Sequence, residues 1–156
     1  MKKLLIAIGI LILLSFSEEA CAQNAVVNND LTFGDVFPGI PKTISKTTPG
    51  SAAEFFISGT AGSEVAIDFT LPTYMNDGGN NMQMVFRDND CALDTSATPD
   101  QTNPGSNNLD PWHTITYRLG SNGLTIWLGG TIVPKLWQKK GSYSSVIVLT
   151  VAYTGN

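Results

Sequence analysis

One histidine, His113, and two cysteines, Cys21 and Cys91, are all the imidazole and thiol this 156-residue chain contains. A Ser-His-Asp triad would have to use His113, and no Gly-x-Ser-x-Gly turn presents a serine to it. Trp112 and Thr114 place that histidine at the start of a strand, where an edge or packed role is the ordinary one. A zinc site needs three or four His, Cys or carboxylate ligands within reach, and too few soft donors are present. Asp88, Asp90 and Asp94 with Asn89 form the one cluster suited to a hard cation, yet Pro99 stands where an EF-hand needs its bidentate glutamate. These acids read as exposed groups where a strand runs into a loop. Trp112, Trp127 and Trp137, with Tyr117, offer flat faces that stack on sugar rings or cover the ends and outer face of a sheet. Trp127 is out of phase with Leu124, Ile126 and Leu128, which points it away from the main core. The chemistry therefore predicts no enzyme, no cofactor and no bound metal.

The elements that position these residues are strands. Two-residue alternation recurs along the chain, and no segment shows a helical period. The clearest run sets Val65, Ile67, Phe69 and Leu71 against Glu64, Ala66, Asp68 and Thr70, one face for the core and one for water. Residues 31–37, 53–58, 82–87, 113–119, 124–133 and 142–153 repeat the pattern. Gly and Asn at 39, 50, 62, 78–79 and 122–123 supply the turns between them. At least seven short strands predict a sandwich or a barrel. Residues 93–110, rich in Asp, Asn, Thr, Pro and Gly, read as a long surface loop.

The N-terminus carries Lys2 and Lys3, an apolar run from Leu4 to Leu14 and a polar stretch ending in Ala20-Cys21-Ala22. That order of zones is a secretory signal, with cleavage expected after Ala22. Eleven apolar residues, at ~1.5 Å rise each, are too short for a permanent span of a ~30 Å hydrocarbon layer. A lipidated Cys21 is the competing reading, opposed by Glu18 and Glu19. Residues 1–22 are thus a cleaved signal and 23–156 a single domain, exported to the periplasm or the cell surface. Cleavage removes two basic and two acidic residues, so the charge stays at −4. An acidic surface disfavours nucleic acid and anionic lipid, and leaves membrane contact to the export step alone. It also leaves Cys91 as the one thiol in an oxidising compartment, so no internal disulfide forms, and a small apolar role is expected of it.

In the final strand Ile147, Leu149, Val151 and Tyr153 share one face and Val146, Val148, Thr150 and Ala152 the other. Both faces are largely apolar, which is the pattern of a strand covered on both sides, yet the chain ends three residues later. Its missing neighbour must come from earlier in the chain or from another molecule.

Leu31-Thr-Phe-Gly-Asp-Val-Phe-Pro-Gly39, Phe56-Ile-Ser-Gly-Thr60 with Leu71-Pro72, Leu128-Gly-Gly-Thr-Ile132, and Gly141-Ser-Tyr143 leading to Thr150-Val-Ala-Tyr153 together resemble the bacterial domain-of-unknown-function family 4402. That family resembles, more distantly, spore coat U and common-pilus subunits. The resemblance implies an all-β, immunoglobulin-like antiparallel sandwich of about seven to nine strands that lacks its last strand. It also implies that residues 142–153 line the groove a neighbour's extension fills, with residues 23–29 as the candidate donor. Two departures bear on this: there is no disulfide, and residues 23–29 are short and barely alternate. The expected function is a fimbria-like or adhesin-like envelope subunit that pairs strands with itself or other envelope proteins through Ile147, Leu149, Val151 and Tyr153. The alternative is a monomeric module that binds carbohydrate or another ligand through Trp112, Trp127 and Trp137.

Overall fold

The structure, a computed structural model, describes residues 23–156; the expected signal and its cleavage site lie outside them. Twelve strands and no helix make up the described chain. They are β1 (Asn24–Asn29), β2 (Lys42–Ile44), β3 (Ala53–Ser58), β4 (Glu64–Thr70), β5 (Tyr74–Asp77), β6 (Asn80–Val85), β7 (Cys91–Asp94), β8 (Ser106–Leu109), β9 (Ile115–Arg118), β10 (Leu124–Leu128), β11 (Gly130–Val133) and β12 (Val148–Tyr153). All pairings are antiparallel, in three sheets ordered β1-β3-β10-β7-β8, β2-β11-β6-β5 and β12-β4-β9.

The all-β sandwich expected from the alternation is present, with more strands than the seven to nine anticipated because β1, β2, β5, β7 and β8 form in segments without strong alternation and one run is divided in two. Residues 124–133 are split at Gly129, which lets the chain leave one sheet as β10 and enter the next as β11. A Cβ at Gly129 would stand 2.6 Å from both the Ile44 carbonyl oxygen and the Lys46 nitrogen, so only glycine lets the strands approach there. Residues 31–37, expected as a strand, join no ladder. Gly34 turns the chain at φ 60°, a conformation that breaks an extended run. Phe33 is nonetheless buried, and Leu31 and Val36 pack on the core.

The 93–110 segment is also more ordered than a surface loop. Its ends belong to β7 and β8, which pair across a bulge between Cys91 and Leu93. The Asp94 carboxylate ties down the remainder, accepting from the amides of Ser96 at 2.8 Å and Asp100 at 3.1 Å. Burial works against the ionised form of Asp94, but these amides outweigh it and hold the group below the usual carboxylate range. A carboxyl whose folded pKa is depressed contributes stability above its unfolded value, and loses it as pH falls through the folded one. We therefore expect this loop to loosen below about pH 3.8. The Asp94→Asn variant should have a smaller loss of melting temperature between pH 5 and pH 3 than the parent.

The core is shared by all three sheets: Ile57, Val65, Ile67, Leu93, Leu124, Ile126, Leu128 and Ile132 are fully buried. β4 delivers the predicted alternation directly, with Val65 and Ile67 in the core and Asp68 in solvent.

Candidate functional site

The sandwich is open along one side. β12 pairs with β4 on one edge, in the register Val148↔Thr70 through Tyr153↔Val65, and stands at the end of its sheet. β1 pairs with β3 and stands at the end of another sheet. Neither edge has a further strand partner among the described residues, and Gln23, just before β1, reaches β12 at Val151.

The phase of the β12 ladder decides which peptide groups face the opening. Thr154 donates its amide to the Glu64 carbonyl at 3.1 Å, so Thr154 and Glu64 form a hydrogen-bonded pair. Antiparallel pairs alternate, which directs the amides and carbonyls of Ala152, Thr150 and Val148 to β4 as well. Those of Tyr153, Val151 and Leu149 then point outward. One outward carbonyl is already engaged: the side-chain amide of Gln23 donates to the Val151 oxygen, as an incoming backbone amide would. The other end of that amide, Gln23 Oε1, is buried without a hydrogen-bond partner among the described residues.

The opening continues as a groove of about 940 Å³ between residues 27–38 on one wall and 138–147 on the other. Its floor is apolar: Phe55, Met75, Met82, Met84, Ile132 and Ile147. Three thioethers on one floor make it adaptable, since methionine fills irregular space through flexible, polarisable side chains. Ile147, Leu149, Val151 and Tyr153 pack on the core yet remain only partly covered, which is the state of a strand with one missing neighbour. Tyr153 reaches across the lower end, where its hydroxyl accepts from the Thr60 amide at 3.1 Å. Tyr143 holds the upper end, bonded to Gln138 Nε2 at 2.6 Å and to the Lys139 carbonyl at 2.8 Å.

Residues 37–153 match the domain of unknown function DUF4402. The chain belongs to this family. The match takes in β2 to β12, with the whole of the β12 wall, and leaves out β1 and residues 30–36 of the opposite wall. No curated protein matches the chain.

The structure sorts the sequence-predicted residues of this DUF4402 domain. Leu149, Val151 and Tyr153 lie in the edge strand β12 and Ile147 just before it, all four packed partly buried against the core. Residues 23–29, the donor implied by the pilus resemblance, do not fill a groove: they are β1, laid on β3 of their own chain, and form one wall of the opening. The three tryptophans do not share a surface. Trp127, expected as an accessible stacking face, is 2% exposed; it does point away from the main core, but Glu54 and the loop at 98–102 enclose it, and its Nε1 donates to Glu54 Oε2 at 2.9 Å. Trp112 is half-exposed, tied by its Nε1 to the Phe86 carbonyl and set edge-on to the Phe86 ring. Trp137 alone projects freely, at 87% exposure.

The remaining candidates have structural partners. His113 Nδ1 meets Asp110 Oδ2 at 2.7 Å on an exposed turn. The Trp112 amide and then His113 hold the Asp110 carboxyl below its usual range. Asp90 closes the turn before β7 by accepting the Arg87 amide at 2.8 Å. Lys46, unmarked in the sequence, is a buried ammonium satisfied by the Asn89 carbonyl at 2.6 Å and Asn108 Oδ1 at 2.8 Å.

Cys91 is fully buried in β7, and burial pushes its thiol up to about 12. Alkylation needs the thiolate and access, so iodoacetamide at pH 8 should leave the native protein unmodified for hours and label it fully in 6 M guanidinium. Mass spectrometry of the intact chain reads the difference.

Proposed function

We propose that this DUF4402 domain is an exported, non-catalytic subunit of the cell envelope, fimbria-like or adhesin-like, which works by accepting a strand from another polypeptide. The observation that carries this reading is the unpartnered edge of β12, which follows directly on the wall of an apolar groove at residues 138–147. An incoming strand would take its affinity from the backbone groups of Leu149, Val151 and Tyr153 and its register from alternate side chains entering the groove. The occupant this geometry accepts is an extended segment with apolar residues at every second position, about ten residues long if it spans 144–153 at ~3.3 Å per residue. Gln23 marks the lower end, and its side-chain amide would be displaced from Val151 as the strand enters.

The non-catalytic part of the reading is supported by what surrounds the reactive groups. The thiol is buried and protonated, and the His113 and Asp110 pair lies on an exposed turn away from the groove.

The test is periplasmic expression of residues 23–156, followed by denaturing electrophoresis of unboiled and boiled samples beside size-exclusion chromatography. Strand exchange between copies gives a ladder that collapses on boiling, because inserted strands resist detergent until the fold is melted. A monomer in both, with no strand-bearing envelope protein co-purifying, would overturn the proposal.

A further inference from the structure

The end of the sandwich beyond β2 and β11 carries an apolar surface that extends past the groove, with Ile40, Leu136 and Trp137 outside its lining. These strands pair antiparallel with Ile132 opposite Lys42, so the segment entering β2 and the segment leaving β11 emerge side by side. They are joined there: the Gly39 amide donates to the Lys135 carbonyl at 3.0 Å, and a Cβ at Gly39 would stand 3.1 Å from a Leu136 methyl. The tip they build presents Phe37 at 67%, Ile40 at 60%, Leu136 at 67% and Trp137 at 87% exposure. Four large apolar side chains on two bridged loops are an uncommon cost for a surface to carry, and such patches mark interaction sites.

The charge around them is not that of the whole molecule. Of the seven basic residues after position 22, four belong to these segments: Lys42, Lys135, Lys139 and Lys140. The acids in the neighbourhood are Asp35, before Phe37, and Asp77, beside Gly141. Lys139 and Lys140 form no salt bridge among the described residues, and Lys135 is spent on Asn81 Oδ1 rather than on a carboxylate. A net charge of −4 therefore coexists with a cationic tip. At physiological salt, fields fade over ~8 Å, so an approaching surface responds to the tip and not to the total.

We propose that this tip docks on an anionic lipid bilayer. Trp137 and Phe37 would sit at headgroup depth, where an aromatic ring with an apolar body is favoured, and Leu136 and Ile40 would reach the acyl boundary. Lys139 and Lys140 would lie on headgroup phosphates while their methylene stems stay against apolar neighbours. A second copy of the chain is the competing occupant; the clustering of four of the seven basic residues at the tip favours an anionic surface instead. Phe37, Lys139 and Lys140 also line the upper end of the groove, whereas Ile40, Leu136 and Trp137 lie outside both the groove and the β12 edge, so the Leu136 and Trp137 variants test the tip separately from strand acceptance.

The experiment is co-sedimentation of residues 23–156 with vesicles of phosphatidylcholine containing 30% phosphatidylglycerol, compared with pure phosphatidylcholine. We expect at least fivefold more protein on the anionic vesicles at 50 mM salt, declining as salt is raised to 500 mM. Trp137→Ser with Leu136→Ser should lower bound protein at least tenfold on either vesicle, and Lys139→Glu with Lys140→Glu should abolish the preference for phosphatidylglycerol. Trp112→Phe should change neither. All four positions are solvent-exposed, so the variants keep the parent melting temperature and a loss of binding is not unfolding. Absence of binding to both vesicles, or binding that survives the tip substitutions, overturns the proposal. A dimer on sizing that Trp137→Ser dissociates, without vesicle binding, would also overturn it and assign the tip to a second copy.

Discussion

A strand appended to the C-terminus is expected to raise the melting temperature of the domain by roughly 10 °C. Tyr153 ends β12 with its peptide groups outward, so a two-residue Asn-Gly turn directly after Tyr153 would send a following segment back along the outward edge as an antiparallel neighbour. Ten residues alternating Val and Thr would pair with Leu149, Val151 and Tyr153 and set every second side chain over Phe55, Met82 and Met84. The gain comes from apolar side chains on both partners leaving water, at ~1.5–3 kcal/mol for each one fully buried, opposed by the ordering of the new strand. A net gain of about 2–5 kcal/mol is expected from that competition, and each kcal/mol is worth roughly 2–8 °C in a domain of this size. The control is the same extension shifted by one residue. That shift turns the valines to solvent and the threonines to the groove, so it should stabilise little or not at all. Equal stabilisation by both registers, measured by calorimetry, would mean that the groove does not select a strand.

The second large effect separates two tryptophans that look alike in the sequence. Trp127→Ala should cost about 3–5 kcal/mol, the range for removing a buried aromatic ring. It also strips Glu54 of its indole partner and uncovers the loop at 98–102. Trp137→Ala should stay within ~0.5 kcal/mol of the parent, because a side chain at 87% exposure has little packing to lose. Urea unfolding followed by circular dichroism measures both. A reversed order would mean that the tip is packed and the outer face of β10 is not.

That contrast shows where reading residues one at a time stops. Local alternation identified β4 and β12 because a half-buried strand writes its two faces into a period of two, whatever it packs against. It identified the direction of Trp127 for the same reason. Whether that direction led to water or to a covering loop depended on residues 98–102, which are near Trp127 in space and far from it in sequence. The same distance hid Lys46, whose ammonium is satisfied by Asn89 and Asn108 from remote parts of the chain. Residues 31–37 misled in the opposite sense. Their apolar spacing suits a strand, but Gly34 at φ 60° diverts them into an irregular wall that still buries Phe33.

The sequence by itself determined the all-β class and the apolar character of the last strand, because these follow from composition and local period. Its two apolar faces suggested a strand covered on both sides, whereas in the structure β12 is an edge strand whose outer face, with Val148, Thr150 and Ala152, is exposed. Only the tertiary structure decided that residues 23–29 lie on β3 and so cannot fill the groove of their own chain. Only it brought the loop at Phe37 beside the loop at Trp137. Edges, grooves and tips are made by segments some hundred residues apart, and their meeting is set by the ladder registers and the kink at Gly129 that no local pattern records.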